Sequence, residues 1–429
     1  MRIPVCEKEL RERIDLNFHR LADSAYYQIG EVFSAADYDW PGDKEGRALL
    51  AFVSHYKISG KEIPCMRQMM QKMPSMLNEK GYLGTARTDV IVEQQLSGHS
   101  WLLRGLCEYY TQFSDPAALD MLERITENLF LRTAGRYGTY PIDRSEIDAG
   151  GVSGSEIGSR DAWLLSSDVG CAFMSIDGLS HVYLVTRDER VKALLDEMIG
   201  VFLSIDKAAL RTQTHCTLTA ARGMMRLYGL TGDEKYLKGA SDIYELYVYG
   251  GGMTYTYQNL NWWRRPDTWT EPCAVIDSMM LALELFKSTG RGEFRTTAAR
   301  VWHNGFATLQ RDNGGAGTDT VVTADSPWDY LQAQMYEAFF CCTMRLSEGL
   351  WYANENRDLL FAETAGAVVK NDNGVYADGD ILYAQPDEAL LPYAEKTVKA
   401  DGLCLTPIVK YYRVPKQVFE TARQKILFR

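Results

Sequence analysis

The sequence predicts an all-α fold, an (α/α)6 toroid of six helical hairpins with a small β-rich C-terminal appendage. The first observation behind this prediction is a turn that recurs along the chain. A helix carrying Gly, Leu and Tyr runs into a polar turn that ends in Asp, at residues 105–115, 178–188 and 223–233, with a weaker copy at 285–290. The second observation is the number of helical segments, about twelve, which suits six hairpins.

These helices follow one another with irregular spacing. Leu and Tyr recur at helical intervals and bury one face of each segment, while Gly or Asp at the turn ends one helix and caps the next. The copies lie roughly 45 to 75 residues apart, which indicates hairpins with insertions rather than a short solenoid. The helices are expected to begin near residues 8, 46, 64, 97, 116, 172, 189, 213, 233, 272, 291 and 337.

The pattern changes after Trp351. Residues 359–383 alternate apolar and polar side chains around the turn-forming stretch 371–374, which predicts a β-hairpin or meander. Further strands are expected in 398–412 and a final helix in 415–429. The sequence therefore predicts two units, a toroid over residues 1–355 and a small β-rich region over 356–429.

Composition excludes several classes of partner. The net charge of −11, with no local cluster of Lys and Arg, argues against nucleic acid. No apolar run approaches the roughly 18 to 20 residues that span a bilayer, and the N-terminus lacks the apolar core of a signal peptide. Nine cysteines, an odd number, fit a reducing compartment, so the expected location is cytoplasmic. Assembly into a homo-oligomer is left open.

One stretch carries the candidate chemistry. Glu271 and Cys273 stand at the start of a strongly apolar helix, and the adjacent pair Cys341 and Cys342 follows about seventy residues later. One carboxylate and three thiols are the right donors, in kind and number, for a tetrahedral zinc site. Thr270 reads as the N-cap of this helix, and the positive end of the helix dipole favours carboxylate and thiolate.

A plainer interpretation stays open for these cysteines. Cysteine is among the most buried residue types, and the pair follows an apolar segment at residues 338–340. With nine cysteines in the chain, some proximity by chance is expected, and no short CxxC pair supports a metal site.

Long loops separate the hairpins, and such loops often carry function. The loop at 137–168 is acidic and contains Glu156 and Asp161, and a second loop at 250–267 is rich in Tyr and Trp. Aromatic faces there could pack against the C–H faces of a sugar, with Tyr255 and Trp263 as candidates, or could cap the core of the toroid.

Several of these features together resemble the β-L-arabinofuranosidases of glycoside hydrolase family 127, over roughly residues 35 to 355. They are the helix start at Glu271 and Cys273, the Cys341–Cys342 pair, the glycines before them, and the histidines His99 and His215. The resemblance implies a barrel that binds zinc through the four donors Glu271, Cys273, Cys341 and Cys342, with Cys341 also the nucleophile. It implies hydrolysis with retained configuration, and it places His99 and His215 in the sugar pocket.

One departure concerns the general acid. The family carries a Glu about sixteen residues before the ligand glutamate, where this chain has Tyr255, whose unperturbed pKa near 10 makes it a poor acid. Glu156, Asp161 and Asp267 are the alternative acid/base candidates.

The sequence thus predicts a zinc-dependent glycoside hydrolase acting on a furanoside such as a β-L-arabinofuranoside. A non-catalytic sugar-binding or scaffold protein with structural zinc is an alternative. Another alternative is a different (α/α)6 enzyme, such as an unsaturated uronide hydrolase or a sugar epimerase, which would use acidic or histidine side chains and need no thiol cluster.

Overall fold

A computed structural model of the chain describes residues 5–34, 40–142, 154–254, 256–265, 268–317 and 337–361, and the backbone of four short strands between 369 and 415. Within these ranges lie twelve helices of nine or more residues. In chain order they are α1 Val5–Asp23, α2 Asp43–Ser59, α3 Cys65–Met76, α4 Glu93–Phe113, α5 Pro116–Ile125, α6 Ser175–Thr186, α7 Glu189–Ser204, α8 Thr214–Thr231, α9 Glu234–Tyr249, α10 Pro272–Thr289, α11 Gly292–Arg300 and α12 Cys342–Glu355.

The even-numbered helices form a closed inner ring. Each packs against the next even-numbered helix, and α12 returns to pack against α2. The odd-numbered helices form the outer layer, with α3, α5, α7, α9 and α11 each packed on the helix before it and α1 packed on α12. This arrangement confirms the predicted (α/α)6 toroid.

The inner helices approach one another closely at glycines. A Cβ atom on Gly105 would lie 2.7 Å from the carbonyl oxygen of Gly46, and one on Gly178 would lie 2.6 Å from Oγ of Ser100. Gly223 stands in the same relation to the backbone of Ile176, at 2.7 Å. The first glycine of each repeated sequence pattern is therefore a helix-packing residue, because only a residue without a side chain lets two backbones approach so closely.

The turns of the repeat behave as predicted. Asp115, Asp188 and Asp233 are N-caps whose carboxylates accept a hydrogen bond from the backbone N–H two residues on. The residue that ends the preceding helix is left-handed, with φ 53° at Ser114 and 68° at Gly232. Residues close together in the sequence therefore fix the turn between the two helices of each hairpin.

Three inner helices begin at residues other than those the sequence predicted. α12 begins at Cys342 rather than near residue 337. The N-cap of α10 is Glu271, not Thr270, because Pro272 occupies the first turn and the residue before a proline is held extended, here at φ −101° and ψ 115°. The start of α4 also moves, from the expected residue 97 to Glu93.

Two small sheets accompany the helices. The sequence did not predict the first, in which β1 Ile91–Val92 lies parallel to β3 Trp163–Ser166, and β3 pairs antiparallel with β2 Glu156–Arg160. The second confirms strands in the C-terminal region. It is antiparallel in the order β4 Val369–Lys370, β5 Tyr376–Asp378, β6 Ile381–Ala384 and β7 Tyr412–Pro415.

The predicted terminal helix in 415–429 lies outside the described residues. Of the helices that the structure describes, none combines the length and apolar character needed to cross a bilayer.

Candidate metal centre

The inner helices run parallel, so their N-termini lie at one end of the ring, which we call the mouth. Residues near the start of one inner helix contact those near the start of the next, as Gly42 contacts Gly98 and Cys273 contacts Cys342. The positive ends of the helix dipoles therefore gather at the mouth, where they favour anionic groups.

Three predicted donors converge there. Cys273 lies in the first turn of α10, Cys341 is the N-cap of α12, and Cys342 is the first residue of α12. The Sγ atoms of Cys273 and Cys342 are 3.4 Å apart, and those of Cys341 and Cys342 are 3.2 Å apart. All three thiols are buried, and Cys341 keeps the most exposure, at 9%. We call these residues the cysteine cluster.

Glu271, the fourth predicted donor, is held beside the cluster by three contacts. Its Oε1 lies 2.9 Å from Nδ1 of His215, and its Oε2 accepts a hydrogen bond from Nε2 of Gln213 at 3.3 Å. Its backbone N–H donates to Oδ1 of the buried Asn259 at 3.0 Å. The ligand atoms of His215, Glu271 and Cys273 all lie within 4.8 Å of one another, so the carboxylate adjoins the cysteine cluster at Cys273.

This donor set fits a zinc ion. Cys273, Cys341 and Cys342 could hold a metal, since their ligand atoms all lie within 4.8 Å of one another. Tetrahedral zinc with bonds of about 2.3 Å to sulfur separates two thiolates by roughly 3.8 Å, so the sulfurs need to move apart by about half an ångström. Glu271 supplies the oxygen donor that completes four ligands.

The thiols differ in their electrostatic surroundings. Burial opposes ionisation of Cys273, but hydrogen bonds from Cys341 and Cys342 and the charge of Arg47 outweigh it and hold the pKa of Cys273 well below its usual value. The pKa of Cys341 is raised well above its usual value by its hydrogen bond to Cys273, and burial raises that of Cys342. Of the three thiols, Cys273 is therefore the one whose surroundings favour ionisation.

Arg47 of α2 is a site residue that sequence reasoning missed. Its Nη1 lies 3.5 Å from Sγ of Cys273, and its Nε donates to Oδ2 of Asp43 at 2.8 Å. Its guanidinium lies 4.0 Å from the ring centroid of Trp101, a buried residue of α4. An arginine within an apolar helix was the available signal, but nothing local indicated its partner.

Below the cluster, the inner helices enclose a second group of buried polar residues, the interior charge network. Arg104 pairs with Asp177 at 2.9 Å and with Glu348 at 2.6 Å. Asp277, one turn below Cys273 on α10, pairs with Arg345 and with Arg222. The network comprises Arg104, Arg222, Arg226, Arg345, Asp177, Asp277, Glu284 and Glu348.

His215 joins the two groups. Its Nδ1 faces Glu271, and its Nε2 lies 3.5 Å from Oδ2 of Asp277. Its ring stacks on Trp101 with centroids 5.8 Å apart, and its side chain is buried. The structure thus places this predicted substrate-binding residue at the donor set, as the partner of Glu271.

Two other predicted substrate-binding residues are buried within the protein. His99 is fully buried, with Nδ1 against the carbonyl oxygen of Gln95 at 2.8 Å and Nε2 accepting the N–H of Leu83 at 3.0 Å. Trp263 is also fully buried and donates its indole N–H to Thr217 at 3.2 Å. The polar atoms of both side chains are already paired with protein groups, which favours a packing role, and their contact with a sugar stays a prediction.

Two of the three acid/base candidates lie on the β2–β3 hairpin. Glu156 is an exposed residue at the start of β2. Asp161 lies at the tip of the β2–β3 hairpin with φ 51°, where its exposed carboxylate lies 3.8 Å from Nε of Arg160. A left-handed tip of this kind favours Asp for backbone reasons. Tyr255 and Asp267 lie outside the described residues.

Comparison with known proteins places this geometry in a fold group. No family model and no curated protein matches the sequence. A β-arabinofuranosidase of glycoside hydrolase family 127 is similar in structure, with a TM-score of 0.54 and 15% identity over 91% of this chain. The chain spans 63% of the length of that enzyme.

Other solved structures are similar to the same degree. A sugar epimerase from a ruminal bacterium has a TM-score of 0.53 at 13% identity, covering 80% of this chain and 98% of its own. An unsaturated glucuronyl hydrolase specific for heparin has a TM-score of 0.55 at 13% identity, covering 82% and 98%. This chain has the fold of the (α/α)6 glycoside hydrolases and sugar epimerases. Because all three agree equally well, the overall fold does not select among their activities, and the side chains of the site carry that choice.

Proposed function

We propose that the protein is a carbohydrate-active enzyme, a retaining glycoside hydrolase that acts on a furanoside such as a β-L-arabinofuranoside. In this proposal Glu271, Cys273, Cys341 and Cys342 hold zinc, and Cys341 is the nucleophile. The observation that carries the proposal is that, at the mouth of an (α/α)6 toroid, three thiols lie together and the Glu271 carboxylate adjoins them at Cys273. Uronide hydrolysis or sugar epimerisation would not call for a thiol cluster.

In the proposed first step, the thiols are ionised and one of them, Cys341, attacks the sugar. Zinc, when bound, would keep the thiols deprotonated at neutral pH. Cys341 has the largest exposed fraction of the three cysteines, 9% of the residue, which supports its assignment as the nucleophile. Its sulfur would form a bond to the anomeric carbon while the bond between that carbon and the leaving oxygen breaks, and that oxygen would take up a proton from solvent water.

Turnover then requires a second displacement. Water attacks the anomeric carbon, the bond to Cys341 breaks, and the sugar leaves with its original configuration. Gln213 and His215 orient Glu271 throughout, since each engages one of its carboxylate oxygens. The proposal assigns no general acid, and Glu156, Asp161 and Asp267 are the residues to substitute in a search for one.

The first experiment measures zinc content and activity together. Purified, reduced protein should contain about one zinc per chain and should release the chromophore from an aryl β-L-arabinofuranoside or a related aryl furanoside. Cys341→Ser should abolish turnover while the far-ultraviolet circular dichroism stays that of the native protein. Cys65→Ser is the matched control, because Cys65 is also a buried free thiol but lies on the outer helix α3.

Each outcome decides something. Zinc without turnover on any glycoside would favour the non-catalytic alternative, in which zinc is structural. Well-folded protein without zinc would refute the cysteine-nucleophile mechanism. The cytoplasmic location and the homo-oligomer remain predictions.

A further inference from the structure

The proposed zinc site would carry a net negative charge. Its donor set comprises one carboxylate and three thiols, and four anionic donors around a divalent ion leave two negative charges. The site is buried, and a net charge away from water is costly unless an opposite charge lies close by. A cation in contact with the donors is therefore expected.

Two basic side chains contact the donors, His215 at Glu271 and Arg47 at Cys273, and Arg47 is the one that contacts a thiol. Its Nη1 lies 3.5 Å from Sγ of Cys273, which is within hydrogen-bonding distance for sulfur. It belongs to α2, whereas the donors belong to α10 and α12, so it reaches the cluster from another part of the ring.

The guanidinium is fixed in place from two sides. Asp43, one turn earlier on α2 and fully buried, accepts its Nε–H at 2.8 Å. The indole of Trp101 lies under its planar face at 4.0 Å. Only 5% of Arg47 is exposed, so its conformation is set by protein contacts rather than by solvent.

We propose that Arg47 is a positioning residue of the metal centre, which donates a hydrogen bond to the Cys273 sulfur and offsets the negative charge of the donor set. The hydrogen bond withdraws electron density from the Cys273 sulfur and makes it a weaker nucleophile. Cys273 therefore acts as a ligand and not as the attacking group. Cys341 carries the remaining nucleophilic character. Arg47 thus distinguishes a ligand thiol from a reactive one in a cluster of three. This inference rests on the proposed zinc site.

The test measures zinc affinity, not activity. Competition with a chromophoric chelator at fixed pH gives the zinc Kd of the wild type, Arg47→Met and Arg47→Lys. Loss of an outer-shell partner typically costs about 10-fold to 100-fold in metal affinity, and we expect that loss for Arg47→Met. Arg47→Lys keeps a cation and should recover part of it.

A second readout reports the hydrogen bond itself. In the cobalt-substituted protein, loss of the Arg47 hydrogen bond should move the thiolate-to-cobalt charge-transfer band to longer wavelength, because the Cys273 sulfur becomes more electron-rich. A merely structural role for Arg47 would leave this band where it is.

Arg67→Met is the matched control. Arg67 also stacks on an aromatic ring, that of Phe113 at 4.0 Å, and pairs with Glu62, but it belongs to the outer helix α3. It should leave the zinc Kd and the cobalt band unchanged. If Arg47→Met does not fold, Arg47→Gln takes its place, with the same expected loss of affinity because the charge is gone.

The outcomes separate this inference from the proposed function. Wild-type zinc affinity and an unshifted cobalt band in a folded Arg47 variant would overturn the inference and leave the zinc site intact. A wild-type protein that binds no zinc would instead overturn the proposed function.

Discussion

The interior charge network and the cysteine cluster are both buried, and both are built on α10 and α12, yet their charges balance differently. The network has four arginines and four carboxylates, each in an ion pair within the chain. The metal centre has four acidic donors and the contact from Arg47. Buried charges that are matched within the chain hold helices together, whereas an excess of anionic donors creates a place for a cation.

The largest effect is expected in the network. Glu348 pairs with Arg104 and Arg345, so Glu348→Gln removes one of the carboxylates that each of these two buried guanidinium groups contacts. Breaking a buried pair in this way typically costs about 3 to 5 kcal/mol, and we expect a loss of that size in the free energy of unfolding from urea titration. Glu62→Gln, in the more exposed pair with Arg67, should cost less than about 1 kcal/mol. Equal losses in the two variants would show that the network is not structural.

The second largest effect is expected at the cysteine cluster, where anionic donors are in excess. Zinc that binds only the folded state should stabilise the wild type by about 2.7 kcal/mol at a free concentration of about 100 times Kd. Cys273→Ser should lose this gain, because it removes one thiolate ligand. Thermal unfolding with zinc, and again with a chelator, measures the difference for both proteins.

Glu348→Gln serves as the control for the zinc experiment, since its loss should be the same with and without zinc. Stabilisation of Cys273→Ser by zinc as strong as that of the wild type would place the metal elsewhere in the chain.

A third prediction concerns the helix spacing on which both groups depend. Gly105→Ala would place a Cβ 2.7 Å from the Gly46 carbonyl oxygen, and overpacking of this kind typically costs about 1 to 3 kcal/mol. Gly200→Ala is the matched control, because Gly200 is also within a helix but a Cβ there meets nothing within 4 Å. That control should be neutral or stabilising by up to about 1 kcal/mol. Chemical denaturation of both variants checks the contrast.

The smallest effect is a pH dependence at the edge of the network. Burial works against ionisation of Glu108, but its interactions with His181, Arg104 and Lys57 outweigh it and lower the pKa of Glu108 from 4.5 to about 2. A lowered pKa stabilises the fold above pH 4.5, and this contribution is lost as the pH falls towards 2. Glu108→Gln should therefore reduce the slope of stability against pH in that window by about 1 kcal/mol per pH unit, measured by urea titrations. An unchanged slope would contradict the ion pairing.

How much of the fold the sequence predicts depends on how local each feature is. The caps at Asp115, Asp188 and Asp233 form with their own neighbours, so the hairpin pattern was legible without a structure. The four proposed metal donors could be recognised in the sequence for a different reason. Glu271, Cys273 and the Cys341–Cys342 pair are informative by residue type, and the resemblance to a known family brought them together.

Residues whose roles depend on distant partners were misread or missed. The glycine at 105 looked like part of a turn pattern, and its role came from the approach of α2. His99 and Trp263 were expected to contact sugar, but the packing of neighbouring segments buried them and paired their polar atoms. Side-chain exposure is a property of the assembled layers, which periodicity along one segment does not specify.

The sequence by itself determined the number of helices, the chemistry of their turns and the kinds of donor in the candidate metal centre, because each is encoded in short stretches of chain. Tertiary structure decided which side chains meet. Arg47 lies 226 residues before Cys273, and Arg104 lies 244 residues before Glu348, so only closure of the ring could pair them. The physical reason is that a charge pairs with whatever the fold places within a few ångströms, and separation along the chain does not encode that distance.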